Sequence, residues 1–459
     1  MSQELTLRTA AWYGDRELRL ELPESWEVET LWPDTPRPLR LEEIAAAMDR
    51  PVGQPPLREL ALGRKRPVIV CDDLTRPTPA NVIIPLLLQR LEDAGVTRQD
   101  VTIVVGGGSH RPAGPDQLVR KVGAEAMASC RVLAHDCQRD LVRIGRTSFG
   151  TPVLVNRRVA EADLVLGVAG VYPQHSVGFG GGSKLALGVL GKRSIVALHY
   201  GHPSVAGTYD VDNEFRRDLD EVAEAIRLRT IMTLHVDANR QIVRAVSGDH
   251  RIYYSEAATF SREAFTAPTP GDADVVIVNA YPMDVSLTFT RSKGMAPLYQ
   301  VAPGASRVLI SACPEGLGYH GLFPFLNGPR FERLVHQHRR LSTVRPTALP
   351  GKLAQRARRL TRTRRRGAGG PAAVASPPVA PGPAKPIWLH APDVKPGMLP
   401  DFIPGLQLVQ SWADVLRALD GEQARKLHVR LLVYPCAPLH CLQWKGGERT
   451  GYLTEGLVG

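Results

Sequence analysis

The sequence predicts a two-domain α/β protein, with a Rossmann-like parallel sheet in the N-terminal domain and a smaller α/β domain after it. Three observations lead there. Strand and helix periodicities alternate from Pro67 onward, a break at Ala267-Pro268-Thr269-Pro270-Gly271 interrupts them, and a second set of short apolar strands follows. A chain of 459 residues is also long for one core, and its 43% hydrophobic and 22% charged residues are globular values.

The chain opens with alternating apolar and polar residues on both sides of Tyr13-Gly14-Asp15, the period-two pattern of an antiparallel hairpin. From Pro67 the pattern reads strand (Val68-Ile69-Val70), helix (about Ala80 to Ala94), strand (Val101 to Val105), helix (about Asp116 to Ala128) and strand (Arg131 to Ala134). Val153-Leu154-Val155 and Leu164 to Val171 add strands, the latter running into Tyr172-Pro173-Gln174-His175 and a glycine-rich loop. Ligands of such sheets bind past the carboxyl ends of strands. The proline-bearing break closes a first domain at 1–267 and opens a second at 272–459. The second has strands at Val275 to Val278, Arg307 to Ser311, Ile387 to Leu389 and Leu431 to Tyr434, and a helical pattern at Trp412 to Leu419. An insertion at about 340–386, Arg-rich and then Gly/Ala/Pro-rich, has so little to bury that a mobile linker is expected.

The net charge of +11 is local: Arg339 to Arg366 is densely basic and contains no Asp or Glu. It also has no aromatic residue, so base stacking is unsupported and a solvated linker is the plainer reading than a nucleic-acid interface. Six cysteines without CxxC spacing argue against a disulfide scaffold or structural zinc and fit a reducing compartment. No leader-like N-terminus and no apolar run of about 20 residues is found, so a cytoplasmic protein off the membrane is expected.

Four polar clusters follow strands. In Asp73-Leu74-Thr75-Arg76-Pro77, Arg76 can grip a carboxylate or phosphate with Asp73 orienting it; a structural ion pair at a helix start explains the spacing as well. In Gly106-Gly107-Gly108-Ser109-His110-Arg111, glycines allow close backbone approach to a ligand and His110 can exchange protons, although a solvated histidine on a glycine turn is common. The third runs from His175 through Gly180-Gly181-Gly182-Ser183-Lys184 to His199. Its glycines can free amides to cradle an anion, and Lys184 offers a charge or a nucleophilic amine. The spacing is not that of a Walker phosphate loop, and His199 also reads as a partly buried helix residue. The fourth, Tyr281-Pro282-Met283-Asp284 with Thr290-Arg291-Ser292-Lys293, offers a lysine to a substrate carboxylate or simply to water. Cys436, His440 and Cys441 read as loop or core residues.

Taken together, Asp73 to Pro77, Ser109 to Pro112, and His175 through Lys184 to His199 resemble the nickel-dependent lactate racemase family, in order and approximate spacing over most of residues 1–330. Gly150-Thr151-Pro152-Val153, Glu161-Ala162-Asp163 and Cys313-Pro314-Glu315-Gly316-Leu317-Gly318 fit the same family. The resemblance implies a nickel-pincer nucleotide, a nickel pyridinium-3,5-bisthiocarboxylic acid mononucleotide, joined to Lys184 by a thioamide within the loop Gly180 to Ser183. It makes His199 the protein ligand to nickel, and it requires separate cofactor-biosynthesis enzymes.

The same resemblance implies racemisation or epimerisation of a 2-hydroxy acid by hydride transfer from C2 and back. Deprotonating C2 of a hydroxy-carboxylate would create a dianion, whereas hydride transfer leaves a neutral keto group. His110 and His175 are then the paired acid–base groups, Arg76 and Asp73 shape the site, and Lys293 helps hold the carboxylate. Family members often have a glutamine shortly before this lysine and a proline after the cofactor lysine. Phe289-Thr290-Arg291-Ser292 and Leu187 to Gly191 have neither, so lactate itself does not follow. The competing readings are a protein that binds a phosphate ligand or acidic partner without catalysis, and a zinc hydrolase using His110, His175 and His199; the latter lacks an HExxH pair. The sequence carries no sign of oligomeric state.

Overall fold

The computed structural model describes residues 2–202, 205, 208–300, 304–322, 385–395, 405–423, 426 and 428–443. The basic segment Arg339 to Arg366 and all but the last two residues of the expected linker at 340–386 lie outside the described residues.

A six-stranded sheet runs in the order Ile242–Asp249, Leu228–Val236, Leu164–Gly170, Pro67–Asp72, Thr102–Gly106, Arg131–Ala134. Every pairing is parallel except the first. Successive residues of a strand point to opposite faces, and both faces here are apolar. Ile69, Cys71, Ile103, Val105, Leu166 and Val168 enter one core, while Val68, Val70, Val104, Val165 and Ala169 enter the other. Helix Ala80–Asp93 covers the first face with Ala80, Ile83, Ile84, Leu87, Leu88 and Leu91, spaced by threes and fours.

The second sheet also has six strands, all parallel, in the order Leu406–Val409, Ile387–His390, Ser306–Ile310, Val275–Asn279, Val429–Tyr434, Trp26–Thr30. Its last strand corrects the expected division of the chain, which puts residues 1–267 in one unit. The expected hairpin forms from Ser2–Thr9 and Arg16–Pro23, but its inward leucines, Leu5, Leu7, Leu20 and Leu22, share a core with Val275, Ile277, Val308 and Ile310 of the second sheet. Each such leucine contributes roughly 1.5–3 kcal/mol when buried, and that surface carries the following strand, Trp26–Thr30, to the edge of the second sheet.

The buried Asp284 fastens the hairpin in place. It accepts the amides of Ala10 and Ala11 at 2.8 and 3.0 Å and the Thr9 hydroxyl at 3.2 Å, so this carboxylate is structural. A small apolar cluster of Ala11, Trp12, Leu74, Tyr281, Val285 and Phe289 joins the hairpin turn to the first loops of both sheets.

The direction in which successive strands are added reverses in each sheet. In the first, successive strands move one way from Pro67–Asp72 and the other way from its neighbour Leu164–Gly170, so the crevice past their carboxyl ends is the topological switch point. The loops 73–76 and 171–184 leave from there. Among the described residues no helix is long and apolar enough to cross a membrane. All six cysteines are unpaired, and Cys436, His440 and Cys441 are buried core residues.

Candidate active site

The site begins with the loop after Pro67–Asp72. The spacing predicts that Asp73 orients Arg76, but the carboxylate is spent elsewhere. Asp73 Oδ2 lies 2.7 Å from His110 Nδ1, and Oδ1 accepts the Thr75 hydroxyl at 2.5 Å and the Thr75 amide at 3.1 Å. Arg76 instead donates to the Thr75 carbonyl and hydroxyl at 3.1 and 3.0 Å and lies against Tyr172, 5.5 Å from the ring centre. Burial alone would raise the Asp73 carboxyl; the His110 charge and hydrogen bond, the Arg76 charge and the Thr75 bond overcome it and hold it well below the ordinary range. The neighbouring Asp72 pairs with the buried Lys121 at 2.6 Å and accepts from Thr78 at 2.6 Å, a separate structural knot.

The glycines before His110 serve protein contacts rather than the expected approach to a ligand. A Cβ on Gly106 would come within 3.0 Å of the Gly188 backbone, and one on Gly107 within 3.0 Å of Asp73 Oδ2. They let the turn close onto the Lys184 segment and bring the histidine to its carboxylate. The Gly180-Gly181-Gly182 run is packed in the same way. A side chain at Gly180 would strike the Tyr172 ring at 2.5 Å, and one at Gly182 the Tyr254 ring at 2.7 Å. The loop's carbonyls are tied inward by Arg216, whose guanidinium donates to Gly181 and Phe179, and by the Tyr254 hydroxyl on Gly180 at 2.6 Å. This loop is a rigid platform, and its glycines are its packing condition.

Lys184 and Ser183 stand on that platform in the short helix Gly182–Val189. Burial, then the charges of Arg76 and Arg216, pull the Lys184 amine down to about 7. Ser183 is buried, and its hydroxyl oxygen has no hydrogen-bond partner among the described residues. His199 follows on helix Lys192–Gly201, where its Nδ1 lies 2.9 Å from the Ile195 carbonyl. A carbonyl only accepts, so the proton is assigned to Nδ1 and the lone pair to Nε2. Burial, then Lys184, pull His199 down to about 3 against that hydrogen bond, so it is neutral at physiological pH.

The second sheet supplies the opposite wall. Lys293 sits in the π-helical turn Thr290–Gly294, and its Nζ donates to Gln174 Oε1 of the first-sheet loop. An amide thus reaches the lysine from across the cleft, while the chain just before it has no glutamine. Burial, then Arg76 and Lys184, hold the Lys293 ammonium far below its usual range. His175, at the rim of the first-sheet loop, hydrogen-bonds to the Ser292 backbone; burial, then Lys293, pull it down to about 4.

His110, His175, His199, Lys184, Lys293, Asp73 and Arg76 are therefore brought together from both sheets. Three basic side chains, Arg76, Lys184 and Lys293, crowd one another, and both lysines are pulled toward the neutral form, so an anionic occupant would favour their charged forms. Among the described residues no group of three or more His, Cys, Asp or Glu side chains is placed to hold a metal ion, so the zinc-hydrolase reading has no ligand set there.

Two participants are missed by sequence reasoning. Arg216, which no motif marks, is the buried tie of the platform, on helix Glu214–Ala225. His320 lies 5.1 Å from the His110 ring, and burial, with His110, His199, Arg76 and Lys293, holds it neutral. Its signal is position: it comes two residues after the Cys313 to Gly318 segment.

Residues 13–207 match the family described as the lactate racemase N-terminal domain. The chain is 28% identical over 292 residues to lactate racemase of Lactiplantibacillus plantarum, covering 61% of this chain and 68% of that protein. It is 27% identical over 290 residues to lactate racemase of Thermoanaerobacterium thermosaccharolyticum, covering 61% and 67%. The structure of the lactate racemase apoprotein from the latter organism superposes with a TM-score of 0.64 at 20% identity, over 96% of this chain and 100% of that one. A Thermotoga maritima protein of known structure gives 0.58 at 16% identity, over 90% and 100%. These two structural likenesses speak to the fold.

Proposed function

We propose that this relative of the lactate racemases is an isomerase that racemises or epimerises a 2-hydroxy acid with a nickel-pincer nucleotide attached at Lys184. The observation that carries the reading is the meeting of Lys184, His199, the His110–Asp73 pair, His175, Arg76 and Lys293 in one cleft between two sheets. Proteins of known function that match the chain are named lactate racemases.

The residues fit the cofactor. Lys184, with its pKa near 7, has a large neutral fraction at physiological pH, the form an acyl group can capture. The partnerless Ser183 hydroxyl is the kind of buried orphan that a ligand oxygen satisfies. His199, oriented through Nδ1 by a backbone carbonyl, has the disposition of a metal-bound histidine, and an imidazole beside soft sulfur suits nickel. When bound, the group supplies a pyridinium carbon that accepts a hydride and returns it.

The chain's own residues do the rest. Arg76 and Lys293 hold the substrate carboxylate and set C2 between the two histidines. His110, its Nδ1 fixed by Asp73, presents Nε2 to the hydroxyl on one side; His175 serves the other. Each takes the hydroxyl proton in one direction and restores it in the other, so no dianion forms. Withdrawal of the cluster from water strengthens every charge contact within it. The six unpaired cysteines support a reducing, cytoplasmic setting, where separate enzymes would make the cofactor.

Expression alongside the cofactor-building enzymes, followed by intact mass and nickel analysis, tests the attachment: a mass adduct lost in Lys184→Ala is expected. Racemisation of enantiopure 2-hydroxy acids in deuterium oxide should retain the C2 hydrogen. No adduct and no nickel, or complete exchange of that hydrogen, would overturn the reading.

A further inference from the structure

His320 takes no part in the proton transfers, yet it stands inside the site. Its backbone forms an antiparallel bridge with that of His110, and the two imidazoles meet edge to face with centroids 5.1 Å apart. Phe289 contacts both rings, at 4.6 Å from His110 and 6.1 Å from His320. The next residue locks this turn. Gly321 donates its amide to the Ser109 carbonyl at 2.9 Å, and a Cβ there would sit 2.5 Å from that oxygen. His320 is thus held against the loop of His110 by backbone contacts on both sides of the cleft.

We propose that His320 is a specificity-determining residue that reads a hydroxyl on C3, the carbon beside the reacting one, so that the substrate is a 2,3-dihydroxy acid rather than a simple alkyl hydroxy acid. The inference rests on the racemase reading and narrows its substrate class. Its ground is placement: Asp73 holds Nδ1 of His110, and His320 and Phe289 both pack edge-on against that ring, so a substrate whose C2 hydroxyl is served by His110 has its C2 substituent beside the wall these two residues share. A wall meant for a methyl group would be apolar throughout, whereas an imidazole carries two nitrogens, one able to meet a protein partner and the other a substrate hydroxyl. The class is a hydroxyl rather than a second carboxylate because the basic side chains Arg76 and Lys293 are taken by the first carboxylate, while an imidazole can donate to or accept from a hydroxyl. An alkyl substituent would displace that hydrogen bond and return nothing for it, which is how polar sites reject the analogue lacking a hydroxyl.

Glycerate and lactate differ by that one hydroxyl. With cofactor-loaded enzyme, kcat/KM for glycerate should exceed that for lactate by about tenfold or more. His320→Phe and His320→Ala should bring the ratio near one, and His320→Gln, which keeps a donor and an acceptor, should retain most of it. Calorimetric affinities of the cofactor-free protein for the two acids should show the same preference and the same loss. Equal treatment of the two acids, or a preference undiminished in correctly folded His320→Phe and His320→Ala, overturns the proposal. Should the loaded enzyme turn over neither acid while cofactor-free protein still prefers glycerate through His320, the racemase reading falls and the role of His320 stands.

Discussion

His110 and His175 carry the same side chain into opposite electrostatic settings. His110 leans on a carboxylate, Asp73, at 2.7 Å; His175 stands beside a basic side chain, Lys293, and burial, then this lysine, pull it down to about 4. A shared role in proton transfer therefore does not require equivalent groups. The histidine next to the lysine is neutral across physiological pH and ready to act as a base, while the one next to the carboxylate has its tautomer and direction fixed. For a racemase the equilibrium constant is one, so kcat/KM is equal for both enantiomers at every pH. The asymmetry must then appear in kcat and KM taken separately.

The strongest attempt to break this contrast removes each histidine. His110→Ala and His175→Ala should each lower racemisation by about 10²–10⁴-fold; if one retains activity within about tenfold of the parent, the pairing of roles is wrong. Lys293→Met deletes the basic group beside His175. It should raise KM by about 10–100-fold, as expected for losing one partner of a buried charge pair, and move the His175 titration, followed by NMR, upward from about 4 toward the ordinary value. An unmoved titration would detach His175 from Lys293.

Asp73→Asn acts on the other side and should cost activity about tenfold and stability about 1–3 kcal/mol in urea at pH 7. The Asp73 carboxyl is depressed in the folded state, so its ionised form contributes stability above the unfolded pKa near 4, and that contribution is lost as pH falls through the lower folded value. The gap between Asp73→Asn and the parent should therefore narrow below about pH 4. The smallest effect belongs to Thr75→Val, which leaves Asp73 on His110 but removes one of its hydrogen bonds. About 1 kcal/mol, or roughly fivefold in rate, is expected, with the His175 titration unchanged.

Much of the first sheet is legible because two apolar faces leave unbroken valine and isoleucine runs at Val68 to Val70, Val101 to Val105 and Leu164 to Val171, each followed by a turn. The pattern says that a strand exists and says little about its partner. Trp26–Thr30 joins the second sheet, which the pattern does not announce, since the burial of the hairpin leucines decides where it goes. Candidate site residues on short loops after strands stand out by type, and the family resemblance proposes their roles, but pairwise contacts are not legible. Asp73 is three residues from Arg76 and thirty-seven from His110, and it is the distant residue that it bonds. Glycines mislead for a related reason: sequence shows that the backbone needs room at 106–108 and 180–182, and only the packed neighbours Gly188, Tyr172 and Tyr254 show what occupies that room. His320 escapes because a lone histidine has no periodicity to betray it.

The edge strand Trp26–Thr30 has a consequence for how the protein is made. It pairs with Val429–Tyr434, about 400 residues downstream. The first sheet draws its strands from residues 67–249 and can close while synthesis is still under way, but the early hairpin and edge strand leave the ribosome with their partner unmade. Leu5, Leu7, Leu20 and Leu22 have no core to join until Val275 to Ile310 have been made, and the edge strand waits longer still for Val429–Tyr434, so this short opening ribbon needs protection from aggregation through much of synthesis.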